Sequence, residues 1–275
     1  MTDNIPDISK SAAYALSEIA KEGYQDLAKP GAQNIGKTIG SGTRLLYAIF
    51  GRPLDSVSKK IENFFDSVDE GVRNKAKCIP PSERIEPSLG FTKAVYDGIL
   101  SAESNKTLEE LFVNLITSSM DKRYANGLLL VYPDILKQLT SDEAKILLTI
   151  YKEKGYGIPT IDIVSTNKSP EKGQITVLEK FSILLTKKYS YPSNFYQYID
   201  NLARLRLIEI DMLRQYSDET KYNAIVNNDI ISGYKEKIEK GQNCTMEIKK
   251  GIIKLTKLGI GFCEACKISE ISQFF

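Results

Sequence analysis

Apolar residues return at steps of three and four through most of this 275-residue chain. That spacing confines much of the backbone to amphipathic helices, each with one face to bury. Ile8, Ala12, Ala15, Leu16, Ile19 and Leu27 predict a first helix, capped by Asp7 and ended by Lys29-Pro30. Ile35, Ile39, Gly42, Leu46 and Ile49 predict a second, closed by Gly51-Arg52-Pro53. Pro53 then takes the first position of a third helix, whose stripe of Leu54, Val57, Ile61, Phe64, Phe65, Val68 and Val72 is wide enough to face a core. Ile79-Pro80-Pro81-Ser82 reads as a linker, so residues 1–78 are expected to form an N-terminal region of long helices.

Residues 79–140 are expected to form a helical bundle. Thr107-Leu108-Glu109-Glu110 and Thr140-Ser141-Asp142-Glu143 both read as capping boxes, and Leu108, Leu111, Phe112, Leu115 and Ile116 continue the helical spacing. From residue 141 the order becomes helix, polar connector, helix, strand, long polar loop, strand, helix. This predicts a winged-helix-like α+β domain over 141–275, with a first helix at 141–152 and a helix at 193–205 in the recognition position. Residues 207–210 and 252–255 are its strands, paired as a small β-hairpin. The long insertion between them, about 211–251, leaves room for a helix around 231–238. The fold expected overall is mainly α.

Charge is nearly balanced, 37 Lys+Arg against 35 Asp+Glu, so any preference for an anionic partner must come from local clusters. The chain has no histidine, which excludes Ser-His-Asp and Cys-His relays and HExxH zinc sites. Of Cys78, Cys244, Cys263 and Cys266, only the last two are close together, and a four-thiolate zinc site needs two such pairs. Cys263 and Cys266 sit in an apolar helical tail and read as two small buried thiols. No metal and no cofactor are expected. Free cysteines, a polar acidic N-terminus and no long apolar run point to a cytoplasmic protein, with membrane association left to the segment described next.

Gly31-Ala32-Gln33-Asn34-Ile35-Gly36-Lys37-Thr38 spells a P-loop, but a helix precedes it where a P-loop needs a buried strand, so nucleotide binding is not expected. The same stretch contains no acid between Asp26 and Asp55, while Lys29, Lys37, Arg44 and Arg52 all fall inside it. Gly36, Lys37, Gly40, Arg44, Leu46 and Phe50 are therefore candidates for a helix that lies on a membrane or packs on a partner. The winged-helix pattern raises nucleic-acid binding through Lys187, Lys188, Tyr196, Arg204, Arg206, Lys249 and Lys250. The helix at 193–205 is rich in tyrosine and carries Asp200, however, which suits a protein interface at least as well. Of the acid pairs Asp69-Glu70, Glu109-Glu110 and Asp142-Glu143, two sit in the first turns of predicted helices, where the helix dipole and capping explain acids without any catalytic duty. No catalytic residue emerges, and an enzyme is not expected.

Certain stretches, in this order, resemble the abortive infection alpha family. They are Ile35-Gly36-Lys37-Thr38-Ile39-Gly40, Ile79-Pro80-Pro81, the run from Leu108-Glu109-Glu110-Leu111-Phe112 to Ile116, the run from Tyr132-Pro133-Asp134 to Ala144, and the run from Leu255-Thr256-Lys257-Leu258-Gly259 to Cys266. The resemblance implies a bacterial anti-phage protein by which an infected cell stops growing or dies before the phage matures. It brings no catalytic motif. Its partner would be a phage or host protein, with peripheral membrane contact and homo-oligomer formation open, and a winged-helix nucleic-acid-binding regulator or sensor is the alternative.

Overall fold

A computed structural model describes residues 59–101, 105–153, 155–169, 173–240 and 243–270. The P-loop-like string and the candidates Gly36, Lys37, Gly40, Arg44, Leu46 and Phe50 lie outside these residues. The first described helix, α1 (Lys59–Ala76), turns Phe64, Val68, Val72 and Ala76 inward at four-residue steps. After it come α2 (Leu89–Ser101), α3 (Lys106–Ser119), and the short α4 (Lys122–Ala125) and α5 (Val131–Leu136).

The centre of the helical part is α3, because its neighbours cover it on several sides. From Thr107 to Ser119 almost every residue is buried, including Asn114, Thr117, Ser118 and Ser119. A helix this enclosed must satisfy its polar side chains internally. Thr117 and Ser119 donate to the Val113 and Ile116 carbonyls at 2.6 Å, while Asn114 and Ser118 donate to the Cys266 and Ala265 carbonyls, both at 2.9 Å. Those carbonyls end the last long helix of the chain, so α3 closes its C-terminus. The predicted capping box at Thr107 is corrected: Asn105 caps the helix, its side-chain oxygen accepting the Leu108 amide at 3.0 Å, and Thr107 falls within the first turn. Asn in extended backbone is a good cap and stands early enough to start the helix sooner.

At α6 (Ser141–Lys152) the capping box is present. Thr140 Oγ1 accepts the Glu143 amide at 3.2 Å and Glu143 Oε2 accepts the Thr140 amide at 2.7 Å. Beyond it, the expected polar connector is instead a long β-hairpin, β1 (Gly157–Asn167) and β2 (Gln174–Ser182). The chain continues through α7 (Phe195–Arg204), β3 (Ile208–Asp211), α8 (Asn223–Val226), α9 (Asp229–Lys240), β4 (Cys244–Leu255) and α10 (Lys257–Ala265). The strands form one antiparallel sheet in the order β2-β1-β4-β3. A fold expected to be mainly α with a small hairpin is therefore mixed α+β with a four-stranded sheet.

β1 escaped the sequence reading because it is covered on both faces. Ile158 joins the main core with Ile208, Ile253 and Leu255, beside α3, α6, α7 and α10. Ile161 and Ile163 face a second cluster with Phe181, Tyr222, Ile225, Ile231 and Ile238. A strand buried on both sides loses the alternation that marks a half-buried one, and register shifts near Ile161 and Ile163 blur it further. The second cluster also accounts for the insertion. Its predicted helix is α9, which packs on β4, and Tyr222 donates to the Gly251 carbonyl at 3.0 Å. β4 begins at Cys244, well before the expected 252, because the insertion covers the outer face of the extended sheet.

Candidate contact surfaces

Asp142 and Glu143 sit side by side in the first turn of α6 and are both buried. The Asp142 carboxylate accepts the Ser190 amide at 2.9 and 3.0 Å, the Tyr191 amide at 3.1 Å and the Tyr198 hydroxyl at 3.2 Å, and pairs with Lys145 at 3.2 Å. Glu143 also accepts Asn201 Nδ2 at 2.6 Å. These two acids thus tie α6 to the 190–191 turn and to α7. Burial pushes the Asp142 carboxyl upward, but the two amides and the Lys145 ammonium outweigh it and hold its pKa below the ordinary value. Helix capping predicted acids here, but not their grip on a segment some 48 residues away, which only the fold supplies.

The outward side of α7 is occupied by internal pairs. Asp200 meets Lys180 at 2.8 Å, and Arg204 reaches Gln138 Oε1 at 2.9 Å and Asn201 Oδ1 at 2.7 Å. Tyr196 is half-buried, its ring edge-on to Phe195. Lys187 and Lys188 are exposed ahead of α7, and Arg206 is exposed just past it in left-handed backbone, φ 60°. Lys249 and Lys250 are consecutive on β4 and face opposite sides of the sheet, Lys249 paired in register with Asp162 and Lys250 held by Glu219. The basic candidates are therefore split between the ends of α7 and both faces of the sheet.

Cys263 and Cys266 are fully buried in the main core, and burial pushes both thiols up, out of the reactive range. Cys78 is exposed and Cys244 half-exposed. In the native protein a thiol-specific chromogen should titrate Cys78 fast and Cys244 more slowly, and reach Cys263 and Cys266 only after denaturant is added. Rapid release of all four thiols without denaturant would contradict this packing. No cluster of three or more His, Cys, Asp or Glu suited to a metal occurs among the described residues.

Sequence reading passed over one surface feature. Tyr124, Leu129, Leu130 and Val131 are exposed together around α4 and α5. The available signal was a run free of acids, residues 122–133, beginning Lys122-Arg123 and holding Leu128-Leu129-Leu130-Val131.

The geometry defines an α+β scaffold whose buried charges hold its helices to one another. The abortive infection alpha family model matches residues 58–266, and the chain belongs to that family. No curated protein and no solved structure matches it. Among the described residues no helix is long and apolar enough to cross a membrane.

Proposed function

We propose that the chain acts in anti-phage defence by abortive infection, non-enzymatically, through contacts with a phage or host protein or with a membrane. Family membership supports the defence role. The mode of action rests on the observation that Asp142 and Glu143, the most deeply buried acid pair among the described residues, spend their hydrogen bonds on α7 and the turn before it. Carboxylates so fully engaged by the protein's own donors hold structure and leave little capacity for substrate. The N-terminal segment of Gly36, Lys37, Gly40 and Arg44 is one candidate effector. Replacing Gly36 and Gly40 with Leu should then restore plaque counts toward those of unprotected cells, and unchanged protection would remove that segment from the account.

One observation favours a winged-helix regulator or sensor as the second reading. Strands β1, β4 and β3 are neighbours in the sheet and share a core with α6 and α7, a combination that a winged-helix domain would use. Nucleic-acid retention would then fall steeply with salt and drop further on charge reversal of Arg204 and Arg206. Under the preferred reading, labelled duplex DNA shows no retention that depends on these arginines, even at low salt.

A further inference from the structure

Leu129, Leu130 and Val131 are 48%, 61% and 42% exposed, and Tyr124 beside them is 46% exposed. Large apolar side chains scattered singly over a surface need no explanation, but a contiguous group marks an interaction site. This group is also held in place from beneath. Gly127 and Leu128 donate to the Tyr124 and Ala125 carbonyls at 2.9 and 3.2 Å, and Tyr132 donates to the Leu129 carbonyl at 3.0 Å. Tyr132 is buried with its ring edge-on to Phe262, centroids 5.8 Å apart, and Leu128 packs on the main core. The apolar residues are thus presented on a turn tied at both ends by these three backbone bonds.

Cations flank Tyr124. The Lys267 ammonium lies 5.0 Å and the Arg123 guanidinium 5.6 Å from the centre of the Tyr124 ring, and Lys122 is exposed next to them. The acids nearby are Asp121, Glu83, Glu264 and Asp134, the last exposed on α5 one turn beyond Val131 and paired with Lys137 at 2.7 Å. Asp121 is buried and taken by Arg123 at 2.6 Å, Glu83 lies within electrostatic range of Arg123, and Glu264 on α10 lies within range of Tyr132. From residue 122 to 133 no acid interrupts the run. Leucines at the tip, a tyrosine at the margin and basic residues behind it are what an anionic lipid interface selects: hydrocarbon for the leucines, headgroup depth for the ring, lipid phosphate for the cations.

We infer that the turn between α4 and α5 is a membrane-docking site, in which Leu129, Leu130 and Val131 enter the surface of an anionic bilayer while Lys122 and Lys267 meet lipid phosphates. The inference rests on the reading of defence by contact and names its partner.

The chain has no tryptophan, so Leu130→Trp places a single reporter at the tip. With the full chain and vesicles of equal parts phosphatidylglycerol and phosphatidylcholine, emission should move to shorter wavelength and be quenched by brominated acyl chains. Phosphatidylcholine vesicles should do neither. Vesicle affinity should fall at least about tenfold for L129S/L130S/V131S, and also for K122E/K267E, with far-UV circular dichroism checking that each variant is folded. A chain that co-sediments with vesicles while the reporter's emission stays that of a ring in water is held elsewhere, and that overturns the inference, as does failure to bind vesicles at all. If either result accompanies full protection against phage, only the docking site is lost. If the wild-type chain gives no protection, the underlying reading fails instead.

Discussion

Replacing Asp142 with Ala should cost about 3 kcal/mol of folding stability, because a buried charged acceptor of several hydrogen bonds is removed. The variant leaves the Ser190 and Tyr191 amides, the Tyr198 hydroxyl and Lys145 without their shared acceptor. Thermal unfolding should move down by on the order of 10 °C for a chain of this size. The same carboxyl fixes the sign of the acid response. Its folded pKa lies below the value near 3.9 that an unfolded Asp shows. Its contribution is therefore complete above about pH 4 and lost as pH falls through the folded pKa. Asp121, held down by its bonds to Arg123, acts in the same direction. Denaturant titrations of wild type and Asp142→Ala should differ most near neutrality, and the difference should narrow as pH falls through the folded pKa of this carboxyl. A difference that grows toward acid would contradict the role given to this carboxylate.

Gly259→Ala should be nearly as damaging, for a steric reason. A Cβ on Gly259 would stand 2.0 Å from the Leu207 carbonyl oxygen, a backbone atom that cannot swing aside as a side chain could. That carbonyl is fixed already, since it accepts the Thr256 amide at 3.0 Å, while the Thr256 hydroxyl caps α10 by accepting the Gly259 amide at 2.9 Å. The methyl group must push α10 away from the entry to β3, and α10 carries Phe262, Cys263 and Cys266 into the core. Overpacking costs of roughly 1–3 kcal/mol are usual where side chains can adjust, and the upper end or more is expected here. Gly233, where a Cβ meets nothing within 4 Å, serves as the comparison. Gly233→Ala should be neutral or mildly stabilising, because it adds helix propensity in the middle of α9. Equal midpoints for the two variants in urea would count against the packing described.

The residues that could be read correctly from sequence were those whose structure is decided locally. Thr140 and Glu143 are three positions apart and cap their helix without help. Phe64, Val68 and Val72 repeat at one helical turn, and 208–210 alternate next to a helix end. What escaped depends on distant partners. β1 lost its alternation because the insertion between β3 and β4, far later in the chain, brings Tyr222 and Ile225 over the face that would otherwise carry polar residues. The 122–133 surface went unnoticed because a run of leucines beside a helix is ordinarily core, and only the packing reveals that Leu128 turns in while Leu129 and Leu130 turn out. The dispersal of the basic candidates follows from the same limit. Lys249 and Lys250 are neighbours in sequence, and the pleat sends them to opposite faces.

The central claim is that this chain alone arrests phage through contacts, and efficiency of plating tests it most directly. Lawns expressing the wild-type chain should give fewer plaques than vector controls, while uninfected cells grow at the control rate. Equal plaque counts on both lawns, with the chain present, soluble or membrane-bound, and folded, would contradict it.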